Sequence, residues 1–130
     1  MRLTHVLETV LYYEAEEREA TLRFYREVLR LDEVDEGLAF RLGDGLVLLF
    51  DADAASRQER PPPHGARGAV HTCFVAGGES YEAWKRHLAA HDVAVTDEIA
   101  WGNGVRSFYF DDPAGNVLEI ADGDMWPRPR

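Results

Sequence analysis

The stretch "RSFYFDDPAGNVLEIAD", Arg106 to Asp122, decides the fold. Two short runs rich in aromatic and β-branched residues, "RSFYF" and "NVLEI", are joined by "DDPAGN", where Pro113 and Gly115 supply the turn geometry. Immediately upstream, "VAVTDEIAW" reads as a third strand. Before it, "SYEAWKRHLAAH" has helical spacing, with Tyr81, Trp84 and Leu88 on one face and Ser80 as the expected N-cap. "AVHTCFV" opens the series as another strand, so the second half of the chain reads β-α-β-β-β.

The first half repeats that order. "LTHVLETVLYY" is a strand candidate, and "AEEREATLRFYREVLRL" a helix with Glu16, Glu17 and Glu19 in its first turn, where the macrodipole favours acids. Leu22, Tyr25 and Leu29 mark the stripe expected to be buried. "GLAFRL" and "LVLLF" follow as strands about the hairpin signal "GDG". "DADAASRQERPPPHGARG" has no apolar period and carries three consecutive prolines, which predicts a loop or linker. The expectation is an α+β fold: two tandem βαβββ modules, about residues 1–55 and 66–125, forming a cupped mixed β-sheet with helices on its outer face. A module of about 60 residues buries too little surface to stand alone, so residues 1–130 are expected to pack as one domain or to exchange modules with a second chain.

Composition sets the surroundings. A net charge of −10 repels phosphate backbones and anionic membranes, so nucleic acid and membrane are not expected partners. No apolar stretch reaches the length of about 20 residues needed to span a bilayer, and the start lacks signal-peptide features. With Cys73 as the one cysteine no internal disulfide forms, and a cytoplasmic location is expected.

The repeat also points to chemistry. Aligning the modules by their first strands places Glu8 over His71, whereas His5 has no counterpart. Aligning the last strands by their turn glycines, Gly45 and Gly115, places Leu49 over Glu119. Side chains alternate along a strand, so Glu8, His71 and Glu119 fall on faces opposite to the ones expected to carry the helices. Taken singly, a strand histidine is more often a hydrogen-bonded core or surface residue, and a glutamate near a strand end more often solvated. Two carboxylates converging with an imidazole in low dielectric need a cation, and a divalent ion would leave the set roughly neutral.

The segments "RFYREVLRLDEV", "GAVHTCFV" and "RSFYFDDPAGNVLEIAD" together resemble the vicinal oxygen chelate superfamily, which includes glyoxalase I, fosfomycin-resistance thiol transferases, extradiol dioxygenases and bleomycin-binding proteins. The resemblance implies a metal held by Glu8, His71 and Glu119, with Glu8 standing where many members have histidine. Choosing His5 instead would need a three-residue shift that reverses strand parity. The fourth ligand of glyoxalase I falls near Leu49, which implies a three-ligand site, with Asp51 of the same parity as the one nearby substitute. Ser107 and Tyr109 match positions that look into the pocket in fosfomycin-resistance relatives, and Cys73 is expected as pocket lining. Trp101 is expected as pocket wall or strand anchor, and His64 and Arg67 sit on a loop that could fold over the cup.

The function implied is a metal-dependent lyase, isomerase, thiol transferase or dioxygenase acting on a small oxygen-rich substrate chelated to manganese, iron, nickel, zinc or magnesium. Glu8 or Glu119 would move a proton and Tyr109 would orient a substrate oxygen. A homodimer is expected. The rival is a metal-free drug-binding protein of the bleomycin-resistance kind, for which the acidic charge and the aromatic residues would be suited.

Overall fold

A computed structural model describes residues 1–130, with position 78 described by its backbone alone. The chain divides into two compact units, residues 1–70 and 71–130, each built round a four-stranded sheet.

In the first unit β1 (Glu8–Tyr13) is followed by a helical segment: a 3₁₀ turn (Ala15–Glu17), α1 (Arg18–Arg23) and a π turn (Phe24–Val28). A capping box between Glu14 and Glu17 starts it. The π turn shifts the helical phase, so the neighbours Phe24 and Tyr25 are both buried alongside Leu22 and Leu29. Strands β2 (Asp32–Asp35), β3 (Ala39–Leu42) and β4 (Gly45–Asp51) complete the sheet in the order β1-β4-β3-β2, with β1 parallel to β4. β2, with three acids in "DEVD", has no strand pattern in sequence; it is held by pairing with β3 and carries a register shift between Glu33 and Asp35. Leu11, Phe40, Val47 and Leu49 cover the helix side as its core.

One segment read as loop contains a helix. Ala52–Arg57 forms α2, capped by the Asp51 side chain, which accepts the Ala54 N–H at 3.0 Å. Alanine's high helix propensity and the burial of Ala52 and Ala55 outweigh the lack of an apolar period. The proline-rich part that follows is irregular, as expected.

The second unit runs β5 (His71–Val75), α3 (Gly78–Ala90), β6 (Asp97–Ala100), β7 (Arg106–Asp111) and β8 (Val117–Ala121), in the order β5-β8-β7-β6 with β5 parallel to β8. The two modules thus share one topology, βαβββ with a mixed sheet, in an α+β fold. α3 begins earlier than the sequence suggests: Gly77 is the N-cap, and Ser80 lies in the first turn with its N–H donating to the Gly77 carbonyl. Tyr81 and Leu88 are fully buried and Trp84 half-buried, and the Tyr81 ring meets Phe108 edge-on, on the face that also carries Phe110, Leu118 and Ile120.

The β7–β8 turn explains its own motif. Asp112, buried, accepts the N–H groups of Ala114 and Asn116 through Oδ1 and the Asn116 side-chain amide through Oδ2, each at 2.9 Å. Gly115 has φ +84, a left-handed conformation that disfavours other side chains.

Three carboxylates stabilise the two modules within their ionised range. The Arg26 guanidinium, helped by the Gly37 N–H, holds Glu33 below its ordinary value; Lys85 and then Tyr81 do the same for Glu98. The Arg106 backbone N–H, followed by its guanidinium, lowers Asp122. Depressed in the folded state, these groups contribute fully above their ordinary values of 4.5 and 3.8, and that contribution is lost as pH falls through and below that range. At fixed ionic strength the urea midpoint is expected to drop between pH 5 and pH 3, about where the ordinary carboxylate titration lies. A midpoint that holds level to pH 3 contradicts this account.

Candidate functional site

The pairing of β5, β8 and β7 sets the site's side chains. His71 pairs with Val117, Cys73 with Glu119, and Glu119 in turn with Tyr109. Strand alternation therefore puts His71, Cys73, Glu119, Tyr109 and Ser107 on one face, opposite Phe108, Phe110, Leu118 and Ile120. His71 stacks on Tyr109 with ring centroids 5.9 Å apart.

His71 and Glu119 are an unusual pair. The His71 Nδ1 lies 2.8 Å from the Val117 carbonyl oxygen, which only accepts, so Nδ1 carries the proton and Nε2 presents a lone pair when the ring is neutral. Yet Nε2 lies 3.1 Å from Glu119 Oε1, an acceptor facing an acceptor. One positive charge has to be shared between them, either a second proton on the ring or a metal ion. Glu119 is only 5% exposed, and its Oε2 is buried with no hydrogen-bond partner. A buried carboxylate so poorly satisfied costs stability unless a cation compensates it, and an imidazole with a carboxylate is a suitable donor set for a divalent metal. His71 and Glu119 thus supply two donors of the kind a divalent ion takes.

The neighbours share the field of that carboxylate. Desolvation, then the Glu119 charge, pushes the Cys73 thiol up to about 12, so it is a protonated lining group rather than a nucleophile. Burial, opposed by Ser107 and reinforced by Glu119, raises Tyr109 and keeps its phenol protonated as a donor. Ser107 is fully buried and accepts the Trp101 indole N–H at 3.0 Å, which ties the residue-101 turn to β7. This tie is invisible in the sequence, since nothing in "AWGNG" announces it.

In the first unit Glu8 opens β1, exposed, and pairs with Leu46 as His71 pairs with Val117. His5 lies ahead of the strand, exposed, with Nδ1 3.0 Å from Thr4 Oγ1. The ladders correct one alignment: Glu119 corresponds to Leu48, which pairs with Val10 as Glu119 pairs with Cys73, and not to Leu49. Aligning by turn glycines fails because the β3–β4 turn has two residues between paired positions and the β7–β8 turn has five. Leu49 faces the helices beside Leu11, and Asp51, of the same parity, is spent on capping α2. The structure thus brings His71 and Glu119 together with Cys73, Tyr109 and Ser107; among the described residues no three His, Cys, Asp or Glu side chains are grouped so as to hold a metal.

Residues 7–120 match the model of the Glyoxalase/Bleomycin resistance protein/Dioxygenase superfamily. The chain belongs to this superfamily. Within it, a lactoylglutathione lyase from Agrobacterium tumefaciens is 34% identical, with a TM-score of 0.86 over 96% of this chain and 98% of that one. FosX, a fosfomycin resistance protein from Listeria monocytogenes whose structure is complexed with Mn(II) and dihydroxypropylphosphonic acid, shares the fold at 19% identity and TM-score 0.68, over 96% and 94% of the two chains. A glyoxalase/bleomycin resistance protein/dioxygenase from Nocardioides does so at 17% and 0.72, over 99% and 92%. No helix of this superfamily member is long and apolar enough to cross a membrane among the described residues.

Proposed function

We propose that this chain is a metal-dependent enzyme of lactoylglutathione-lyase type, acting on a small substrate whose adjacent oxygens chelate a divalent ion. The observation that carries this reading is the His71–Glu119 contact, two acceptors at 3.1 Å with a buried, unpartnered Oε2 beside them. The 34% identity to a lactoylglutathione lyase favours lyase or isomerase chemistry over ring cleavage. A drug trap would have no use for a carboxylate held under such strain of desolvation.

His71 and Glu119 are the proposed ligands from β5 and β8, with Glu8 from β1 as the third donor, the ladder equivalent of His71. Two carboxylates and one imidazole would balance a divalent charge, and Leu48, the ladder equivalent of Glu119, offers no further donor. An ion held there would supply Lewis acidity. Glu119 or Glu8 would take and return the substrate proton, and the protonated Tyr109 phenol would donate a hydrogen bond to a substrate oxygen. Cys73 and Ser107 line the site. The two modules are proposed to act as one domain in a homodimer, in the cytoplasm.

Titration of the metal-free protein with manganese, nickel and zinc tests the reading. About one ion per chain should bind, more weakly as pH falls because ion and protons compete for the same donors. The loaded protein should isomerise the hemithioacetal of methylglyoxal and glutathione. Absence of stoichiometric binding by any of the three metals, with the Glu8→Gln variant indistinguishable from the parent, would sink it.

A further inference from the structure

Helix α3 ends in two histidines one turn apart, in "HLAAH", His87 to His91. Residues four apart on a helix stand one above the other on the same face. Of the residues between them Leu88 is fully buried, and the exposed Ala89 and Ala90 add only methyl groups. The ring centroids of His87 and His91 lie 4.4 Å apart, with their planes at 51°. His87 is half-buried and His91 exposed. The Trp84 indole meets the His87 ring edge-on at 5.3 Å.

The helix end fixes His91 in place. Its backbone N–H donates to the Leu88 carbonyl at 3.0 Å, and the next two N–H groups follow, Asp92 to Ala89 at 3.1 Å and Val93 to Leu88 at 2.9 Å. Its ring caps the helix too: Nδ1 lies 2.9 Å from the His87 carbonyl oxygen, one of the terminal carbonyls that the helical ladder leaves without a backbone donor. A carbonyl oxygen only accepts, so the neutral His91 ring carries its proton on Nδ1 and presents a lone pair on Nε2. A backbone carbonyl behind the ring is the support that orients metal-bound histidines. An ion about 2.1 Å from a ring nitrogen is roughly 3.2 Å from that ring's centre, so two rings bound at about a right angle have centres about 4.5 Å apart. The observed 4.4 Å meets that spacing. The carbonyl end of this 13-residue helix adds the negative pole of its macrodipole, which favours a cation.

We propose that His87 and His91 form a chelating site for a transition ion of the copper(II) class, on the helix side of the second sheet. Two imidazole nitrogens suit copper, nickel and zinc, with copper held tightest and manganese least. The site is separate from the His71–Glu119 pair: α3 packs through Tyr81 on the face that carries Phe108, and Glu119 and Tyr109 lie on the opposite face of that sheet. Two protein donors hold an ion less tightly than three. This ion is therefore a second, weaker phase that desalting removes, beyond the one ion per chain of the first site.

Copper(II) titrated into the protein while tryptophan emission is read tests the site, because a paramagnetic ion at His87 sits beside Trp84 and quenches it. The expected result is a saturable quenching phase that Trp84→Phe removes. His91→Gln and His87→Gln should each weaken that phase at least about tenfold, since losing either donor turns a chelate into a single ligand. Ala89→His in the His91→Gln background restores the histidine count two residues from His87, on another face of the helix, and should not recover binding. Glu119→Leu should leave the phase as in the parent, so the outcome does not depend on whether Glu119 holds an ion. Quenching that survives both glutamine substitutions, marking an adventitious ion only, would overturn the proposal. So would quenching that returns with Ala89→His or disappears in Glu119→Leu.

Discussion

Glu119→Leu is expected to give a protein more stable without metal than the parent and inactive with it. The parent side chain is 6% exposed, sets Oε1 against the Nε2 of a half-exposed histidine, and leaves Oε2 buried with no hydrogen-bond partner among the described residues. Replacing such a charge by an apolar group of similar volume removes a desolvation penalty, a gain of about 1–3 kcal/mol in metal-free unfolding. His71, with a side chain 49% exposed, then completes its hydrogen bonding with water. Metal binding should fall below about a tenth of an ion per chain, and kcat/KM by at least about a hundredfold, the scale associated with losing a metal ligand's support. Urea unfolding and metal analysis on the same preparation decide it. A variant destabilised by several kcal/mol would mean that Glu119 is a satisfied structural group and that the cation argument is wrong.

Asp112→Ala should do the opposite, harming the fold without touching the chemistry directly. Its carboxylate accepts two backbone N–H groups and the Asn116 amide; Asp112 and Asn116 are buried, while Pro113 and Gly115 of the same turn are exposed. Truncation strands those donors away from water, at a cost of about 3–5 kcal/mol. Asp112→Asn retains one acceptor oxygen and should lose less than half as much. Because β8 carries Glu119, the alanine variant will also lose metal affinity, but only in proportion to its unfolded fraction; stabilising osmolyte should restore the two together. Metal loss that persists in the fully folded variant would assign Asp112 a direct role.

That contrast bears on how function was legible. The most conspicuous motif in the chain, "DDPAGN", is a folding device: its aspartate, asparagine and glycine satisfy a turn. The chemistry sits in the plainer "VHTCF" and "VLEIA", where single residues depart from an apolar pattern. Alternation was enough to put His71, Cys73, Glu119 and Tyr109 on one face, because a strand's period of two is a local property. Alternation could not reveal that Nδ1 of His71 is occupied by a carbonyl forty-six residues away, which makes the contact to Glu119 an acceptor pair. Nor could it show Leu48, rather than Leu49, as the counterpart of Glu119, since register depends on turn length and one residue's slip changes the face. The helix at Ala52–Arg57 was missed for a related reason: its stability comes from a side-chain cap and two small buried alanines, neither of which has a periodic signature.

By itself, then, the sequence determined the βαβββ order of the second module and, β2 aside, that of the first, the helix faces of Leu22, Tyr25, Tyr81 and Leu88, and the strand faces that carry the acids and the histidine; each follows from local periodicity and turn chemistry. Only the tertiary structure decided which of those groups meet, which proton His71 carries, and that the proline-rich segment brings His64 onto Tyr12. These depend on register and on contacts between residues dozens of positions apart, where small differences in loop length outweigh any local preference.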